Sequence, residues 1–297
     1  MPGLLDGYDE AKEFSVRILI VGGTSSLARA LKPVLSEFAE VITAGRAGCD
    51  VYLDLSDREK DVELPKGIDV VINTAAHFGG NSFEEMFEAE TVNVLGALKV
   101  CQVCKTARVR HLVHISSTSA YVGVTSDYYG IYALSKRHSD EAVKLFCSSF
   151  NLSCTILRPS QIYGNENIFR KHQPFLYAAI DKAERSEDIT IHGANDALRN
   201  YIHIGDFTKI ISAVVIKQVE GLYACTNPID IRLSQIANAA IDAFCSSGRV
   251  IFLKDMEDIQ DNVFPYDDSL YRTIEYFPQI SIEEGVKRIA AYRLSRS

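Results

Sequence analysis

The sequence of 297 residues lacks long apolar runs, internal repeats and an excess of positive charge. No apolar run approaches the ~18 residues that span a bilayer, so we expect no transmembrane helix. Residues 1–14 carry acidic residues and no apolar core, which predicts that they are not a signal peptide. A formal net charge of −8 argues against nucleic acid or an anionic membrane as the main partner. These features indicate a soluble globular protein.

Cysteine is present in an odd number, seven residues scattered along the chain. Cys101 and Cys104 form a Cys-x-x-Cys pair, but no second pair at metal-ligand spacing accompanies it. We therefore predict reduced, mostly buried thiols, no metal site and a cytoplasmic location.

Apolar runs alternate with helical patterns, as in βαβ units. The pattern predicts strands at residues 17–21, 41–44, 51–53, 70–73, 111–115 and 154–157, and helices at 28–38, 83–105 and 129–150. Continuous Val/Ile runs are typical of strands covered by helices on both faces, which predicts an α/β fold with a doubly wound parallel sheet. Ligands of such sheets bind at the carboxyl ends of the strands.

A glycine-containing turn, Gly22-Gly23-Thr24-Ser25-Ser26, follows the first strand. Backbone N–H groups in such a turn, with the N-terminus of the next helix, can hold a pyrophosphate. Ser25 replaces a glycine of the usual spacing, and its hydroxyl could itself donate a hydrogen bond to phosphate. An ordinary strand-to-helix turn is the alternative, but the position after the first strand favours a cofactor loop. The expected contacts of this loop are Gly22, Thr24, Ser25, Ser26 and Leu27.

Arg46 follows the second strand, where an adenosine ribose would lie. A guanidinium there can pair with a 2′-phosphate, whereas a carboxylate would favour the free 2′-hydroxyl. We therefore favour NADP(H) over NAD(H), although an exposed surface arginine would give the same pattern. Asp54 and Leu55, after the third strand, are expected beside the adenine.

Tyr132 and Lys136 have the i, i+4 spacing that places two side chains on one helix face. An ammonium about 4 Å from the phenol would lower the tyrosine pKa from about 10 toward 7. Tyr8 and Lys12 have the same spacing, so the spacing alone is not diagnostic. Ser117, at the end of the preceding strand, can hydrogen-bond a carbonyl or alkoxide. This context predicts that Tyr132 is an acid/base.

The pattern becomes mixed after residue 164. We predict a helix at 167–185 with a kink at Pro174, a strand at 201–204 that returns to the main sheet, and helices at 206–215, 233–244 and 282–292. Residues 1–164, with roughly 199–217, are predicted to form the NADP-binding domain. Residues 165–198 and 218–297 are predicted to form a smaller α/β substrate lobe, with the substrate in the crevice between the two.

Together these residues resemble the extended short-chain dehydrogenase/reductase family, in its branch of nucleotide-sugar epimerases, dehydratases and reductases. The resemblance covers nearly the whole chain and implies a Rossmann-type fold. Its motifs match, in order, Gly22-Gly23-Thr24, Asn73-Thr74-Ala75-Ala76, Ser116-Ser117, Tyr132-x-x-x-Lys136, Leu157-Arg158-Pro159-Ser160-Gln161-Ile162-Tyr163-Gly164 and Arg199-Asn200-Tyr201-Ile202-His203.

The resemblance implies roles for these residues. Tyr132 would be the acid/base, Lys136 would bind the nicotinamide ribose and lower the Tyr132 pKa, and Ser117 would orient the sugar carbonyl. Arg199 would contact the nucleotide diphosphate, with a surface ion pair as the alternative. Further cofactor contacts are expected at Thr74, Ala75, Ala76 and Pro159. Further substrate contacts are expected at His77, Thr118, Ser119 and Gln161.

Departures from the family pattern narrow the set of reactions that we expect this chain to catalyse. Family 4,6-dehydratases carry an Asp-Glu pair after the catalytic hydroxyl residue, but Thr118 and Ser119 stand there, so a dehydratase is not expected. Ser119 also occupies the position of the cysteine that the fucose-type epimerase-reductases use. Lys171 and His172 lie near the position of the histidine of those enzymes, and they either hold phosphate or substrate hydroxyls or are merely solvated.

The leading hypothesis is an NADP(H)-dependent reductase of the C4 keto group of a nucleotide-linked, 6-deoxy hexose. The alternative is a 4-epimerase that retains NAD(P) and shows no net cofactor turnover. A non-catalytic NADP-sensing regulator is a third hypothesis, disfavoured because it would not need the tyrosine–lysine pair. The resemblance also implies a homodimer through helices 83–105 and 129–150. The sequence leaves the nucleotide base and the sugar open.

Overall fold

The computed structural model describes residues 16–57 and 64–296. Residues 1–15, which include Tyr8, Lys12 and the segment predicted not to be a signal peptide, lie outside the described residues. Elements of the first half are β1 (Arg17–Val21), α1 (Ser26–Leu35), β2 (Glu40–Gly45), β3 (Val51–Tyr52), β4 (Val70–Asn73), α2 (Phe83–Glu90), α3 (Gly96–Thr106), β5 (His111–Ile115), α4 (Ile131–Phe150) and β6 (Cys154–Pro159). A π-helical segment, Thr91–Leu95, joins α2 to α3.

The second half begins with a short strand and ends with a helix. Its elements are β7 (Gln161–Tyr163), α5 (Pro174–Glu184), β8 (Ile189–His192), β9 (Leu198–Arg199), β10 (Tyr201–His203), α6 (Ile204–Lys217), β11 (Gly221–Cys225), β12 (Ile231–Arg232), α7 (Leu233–Phe244), β13 (Val250–Leu253), α8 (Ser269–Ile274) and α9 (Ile282–Leu294).

Seven strands form one parallel sheet in the order β11-β6-β5-β4-β1-β2-β3. The side chains of β1 alternate between two cores: Ile18 and Ile20 pack with α1, α6 and α8, whereas Leu19 and Val21 pack with α3 and α4. Alternation of this kind follows from the two-residue period of a strand. The predicted doubly wound parallel sheet is confirmed.

A separate core lies among α5, α7 and α9, lined by residues such as Tyr177, Ile236 and Ile289. Three two-stranded pairs accompany it: β10 with β7, β12 with β9 and β13 with β8. This second core is where the smaller lobe was predicted.

Two predictions about this region are wrong. Tyr201–His203 does not return to the main sheet but pairs with β7, while Gly221–Cys225, predicted in the lobe, is the sheet's edge strand beside β6. Pro174 does not kink a helix. It stands at the first position of α5, where a proline fits because the missing N–H has no intrahelical partner.

Among the described residues, no helix is both long and apolar enough to cross a membrane. Cys101 and Cys104 lie in the core between α3 and the sheet, and both are fully buried.

Candidate active site

The loop between β1 and α1 lies against the loop after β4. Gly22 has a φ of +79°, and a Cβ at this position would lie 2.8 Å from the Ala75 backbone nitrogen. Only glycine combines this backbone conformation with so close an approach. The contact brings the predicted cofactor residues Gly22, Thr74 and Ala75 together, with Ala76 exposed next to them.

Ser25 caps helix α1. Its Oγ accepts a hydrogen bond from the Ala28 amide at 3.1 Å and lies 2.9 Å from Thr74 Oγ1, which itself donates to the Val21 carbonyl at 2.8 Å. Because Thr74 uses its proton on Val21, the Ser25 hydroxyl donates to Thr74 and keeps no proton for a phosphate. The amides of Ser26 and Leu27, in the first turn of the helix, are the groups there that could bind an anion.

Arg46 is exposed just beyond the end of β2, and its charge helps to lower the pKa of Asp54. Hydrogen bonds from Ser56 are the main cause of that lowering. Leu55 turns toward helix α3, where a Cβ on Gly96 would lie 2.9 Å from the Leu55 Cβ. The three residues thus border the C-terminal ends of β2 and β3. Pro159, the last residue of β6, is buried.

Ser117, Tyr132 and Lys136 come together at the end of β5. Lys136 is only 2% exposed and donates from Nζ to the Ile115 carbonyl at 2.9 Å. Its nitrogen lies 6.0 Å from the centroid of the Tyr132 ring. Ser117 Oγ accepts from the Ser119 amide and donates to Ser119 Oγ, both at 3.1 Å. A phenol, a hydroxyl and an ammonium therefore meet at one strand end.

The pKa of Tyr132 does not move in the predicted direction. Burial raises it to about 12, and a hydrogen bond with Ser117 partly offsets that rise. Burial also lowers the pKa of Lys136 to about 8. The predicted lowering of the Tyr132 pKa by Lys136 is wrong in this arrangement, because the loss of water around the phenol outweighs an ammonium that is bonded to Ile115.

A buried polar network supports Lys136. Asp140, one helical turn further along α4, accepts a hydrogen bond from Arg158 Nε at 2.7 Å and raises the pKa of Lys136. His114 lies 2.9 Å from Ser139 Oγ, and burial lowers its pKa to about 3. Sequence reasoning missed Asp140. Its i+4 spacing from Lys136 was the available signal.

His77 and Phe78 follow the Thr74-Ala75-Ala76 motif. The His77 amide donates to Asn93 Oδ1 at 2.8 Å, and its ring accepts from the Gly79 amide at 3.0 Å. His77 Nε2 lies 3.4 Å from Glu88. The histidine therefore holds the loop, while the next residue, Phe78, stacks on Tyr132 with centroids 4.8 Å apart. Sequence reasoning missed Phe78.

The other predicted substrate residues differ in their surroundings. Thr118 is only 4% exposed. Gln161 donates to Gln173 Oε1 at 2.9 Å. Lys171 is exposed, and His172 stacks on Phe78, the ring that also contacts Tyr132, with centroids 3.8 Å apart. Burial, with a smaller effect from Lys171, lowers the pKa of His172.

Arg199 is 8% exposed and already well bonded. Its Nη1 donates to the carbonyls of Leu198 and Gln260 at 2.7 and 2.9 Å, and its Nη2 donates to the Tyr128 hydroxyl at 2.6 Å. These bonds differ from the surface ion pair that was the alternative for Arg199. Contact with a diphosphate would require at least one of these bonds to be exchanged.

Comparison with known proteins identifies the family. Residues 18–223 match the model of the NAD dependent epimerase/dehydratase family, and the chain belongs to this family. Its members of the extended short-chain dehydrogenase/reductase type are NAD(P)-dependent enzymes, as the sequence resemblance predicted.

Relatives and solved structures agree with this assignment. A putative UDP-glucose 4-epimerase of Methanocaldococcus jannaschii is 22% identical over 252 residues, covering 80% of this chain and 82% of the relative. The structure of RMD from Pseudomonas aeruginosa complexed with NADPH has a TM-score of 0.79 at 16% identity, covering 95% of this chain and 100% of that chain. UDP-N-acetylglucosamine 4-epimerase from Bacillus cereus gives a TM-score of 0.73 at 17% identity, covering 95% and 97%.

Proposed function

We propose that this enzyme uses NADPH to reduce the C4 keto group of a nucleotide-linked 6-deoxy hexose. The observation that carries the proposal is the arrangement at the end of β5, where the Tyr132 phenol lies beside Ser117 and Lys136 and burial keeps that phenol protonated. Reduction needs a proton donor to the nascent C4 alkoxide, whereas oxidation of a hydroxyl needs a base. Tyr132 in its protonated form can supply that proton.

The residues at the strand ends fit a dinucleotide. Gly22 leaves room where a side chain would collide with Ala75, and the Ser26 and Leu27 amides begin helix α1. Arg46, exposed after β2, supports a 2′-phosphate and hence NADP(H). Lys136, with one of its three protons bonded to Ile115, keeps donors for the nicotinamide ribose. A nicotinamide bound here supplies the hydride.

Each catalytic residue then has a separate task. Tyr132 gives its proton to the C4 oxygen. Ser117, whose hydroxyl turns from Ser119 toward the substrate, donates a hydrogen bond to the same oxygen and holds the carbonyl in place. Thr118 and Ser119 carry no carboxylate, so the site has no acid or base there to eliminate water from the sugar. This supports a reductase rather than a dehydratase.

A 4-epimerase is the second candidate, and the names of two relatives favour it: the putative UDP-glucose 4-epimerase and the UDP-N-acetylglucosamine 4-epimerase. Such an enzyme would retain its cofactor and oxidise and re-reduce C4. Solved structures of MoeE5 in complex with UDP-glucose and NAD, and of RMD complexed with NADPH, leave both cofactors open for this fold. We expect a nucleotide-diphosphate sugar as substrate in either case.

The test is consumption of NADPH by purified protein with nucleotide 4-keto sugars carrying GDP, UDP, CDP or dTDP. We expect net oxidation of NADPH with at least one of them, and a preference for NADPH over NADH that Arg46→Ala removes. Copurified NAD(P) with interconversion of C4 epimers and no net consumption would establish the epimerase instead. Binding without any turnover, unchanged in Tyr132→Phe, would indicate the regulator.

Tyr132→Phe should lower the rate of reduction by about 10²–10⁴-fold, because it removes the proton donor. Thermal unfolding and NADPH affinity should change little, since the ring remains. Tyr8→Phe, from the other pair with the same spacing, is the matched control and should leave the rate unchanged. A Tyr132→Phe enzyme of parental rate would contradict the assignment.

A further inference from the structure

Phe78 contacts two rings that approach it from different parts of the chain. Its centroid lies 4.8 Å from that of Tyr132, with 17° between the planes, and 3.8 Å from that of His172, with 19° between the planes. Tyr132 belongs to α4, and His172 ends the short helical segment Asn167–His172 before α5. The Phe78 ring therefore lies between the Tyr132 phenol and the segment that precedes α5.

The loop that carries Phe78 is held on both sides. Before it, the His77 amide is bonded to Asn93. After it, Gly79 has a φ of +71°, and a Cβ there would overlap the Ile131 side chain at the start of α4. Glycine is thus required for the loop to pass so close to α4. Phe78 is fixed next to Tyr132 although 45% of its surface is exposed.

The geometry of a hexose determines which of its atoms meets the Phe78 ring. The C4 oxygen has to come within about 2.6–3.2 Å of the Tyr132 hydroxyl for proton transfer. C6 is two bonds away from C4, at about 2.5 Å. A ring stacked directly on Tyr132 is therefore within reach of the C6 substituent. Because Tyr132 and His172 stack on opposite faces of Phe78, the exposed part of its ring is an apolar C–H edge. Such an edge favours contact with a methyl group, whereas a hydroxyl placed there loses hydrogen bonds to water.

We propose that Phe78 determines specificity in the sugar subsite, packing the exposed edge of its ring against C6 and selecting a 6-deoxy sugar over one with a C6 hydroxyl. The inference rests on the proposed function and names the part of the substrate that this residue distinguishes. The His172 ring also stacks on Phe78 and helps to hold it in place.

The experiment compares two nucleotide sugars that differ only in the C6 hydroxyl and carry the same nucleotide. Dissociation constants are measured by calorimetry for the cofactor-bound enzyme. We expect the parent to prefer the 6-deoxy sugar by about 10- to 100-fold. Phe78→Ala should remove most of this preference, mainly by weakening the 6-deoxy sugar, while Phe78→Leu should keep most of it because an apolar contact remains.

Phe150→Ala is the matched control. Phe150 is as exposed as Phe78, 46% against 45%, but lies about 27 Å from Tyr132 along α4, at about 1.5 Å per residue. It should leave the preference unchanged. Because the chain contains no tryptophan, Phe78→Trp also provides a unique fluorophore, whose emission should shift on addition of the 6-deoxy sugar. Phe150→Trp should not respond.

Three outcomes are distinguishable. Loss of the preference in Phe78→Ala alone supports the inference. Equal weakening of both sugars, or an unchanged ratio, overturns it and leaves the reductase intact. Failure of the folded parent to bind any nucleotide sugar refutes the proposed function itself, and with it the inference. Thermal unfolding of each variant separates a binding effect from a loss of folded protein.

Discussion

Polar groups from three elements surround Lys136. Asp140 and Tyr132 share α4 with it, His114 and the Ile115 carbonyl belong to β5, and Arg158 of β6 binds Asp140. Burial lowers the Lys136 pKa to about 8, and Asp140 opposes that change. The charge of Lys136 at neutral pH therefore depends in part on the Asp140 carboxylate.

Asp140→Asn should make NADPH binding more sensitive to pH. Since the Lys136 pKa is lowered below its ordinary value, the charged form is present below about pH 8 and is lost as the pH rises through that value. Removing Asp140 lowers this pKa further, so affinity should fall at a lower pH than in the parent. The NADPH affinity is measured by fluorescence titration at several values between about pH 6 and 9, on both sides of the Lys136 pKa of about 8.

Glu141→Gln, at the next and exposed position of α4, is the control for Asp140→Asn and should keep the parental pH dependence. Parallel affinity curves for the parent and Asp140→Asn would contradict the role of Asp140. Because Arg158 loses its buried partner, Asp140→Asn should also unfold at a lower temperature.

At the scale of elements, the turn between β1 and α1 depends on contacts that the local sequence does not contain. Gly22 is needed because Ala75, more than fifty residues later, lies against it. The strands themselves are local: the apolar runs at 17–21, 70–73 and 111–115 were predicted with the bounds that the structure has. Helix α1 begins two residues earlier than predicted because Ser25 caps its start, and it ends three residues earlier, at Leu35.

Gly22→Ala should destabilise this turn by about 1–3 kcal/mol and weaken NADPH binding, because the new Cβ meets the Ala75 backbone and the φ of +79° is strained for alanine. Urea unfolding and NADPH titration measure the two effects. Gly123→Ala is the matched control, since no atom lies within 4 Å of a Cβ there. Equal stability of the two variants would show that the turn tolerates a side chain.

At the scale of the whole molecule, helices α2 and α4 carry exposed apolar side chains. Phe83, Phe87 and Leu145 are 74%, 55% and 70% exposed. Exposed apolar groups on neighbouring helices are typical of a surface that meets a partner. This supports the homodimer that the sequence resemblance implies.

Sedimentation should therefore give a mass of about twice the 33.0 kDa of the chain. Leu145→Glu should shift the protein toward the monomer, because a carboxylate at an apolar interface is desolvated without a partner. Ile229→Glu, at a position 73% exposed but away from these helices, should leave the mass unchanged. A monomeric parent protein would refute this prediction.

The amino-acid sequence alone was enough to predict the parallel sheet and the meeting of Ser117, Tyr132 and Lys136 at a strand end, since buried strands are continuous apolar runs and parallel strands end at one edge. Tertiary contacts settle which late strand completes the sheet, because β10 and β11 are both short and similarly apolar, and pairing depends on distant partners. Tertiary contacts likewise determine the direction in which the Tyr132 pKa shifts and the position of Phe78 beside Tyr132. Burial and ring stacking arise from residues far apart in the chain, which no local spacing encodes.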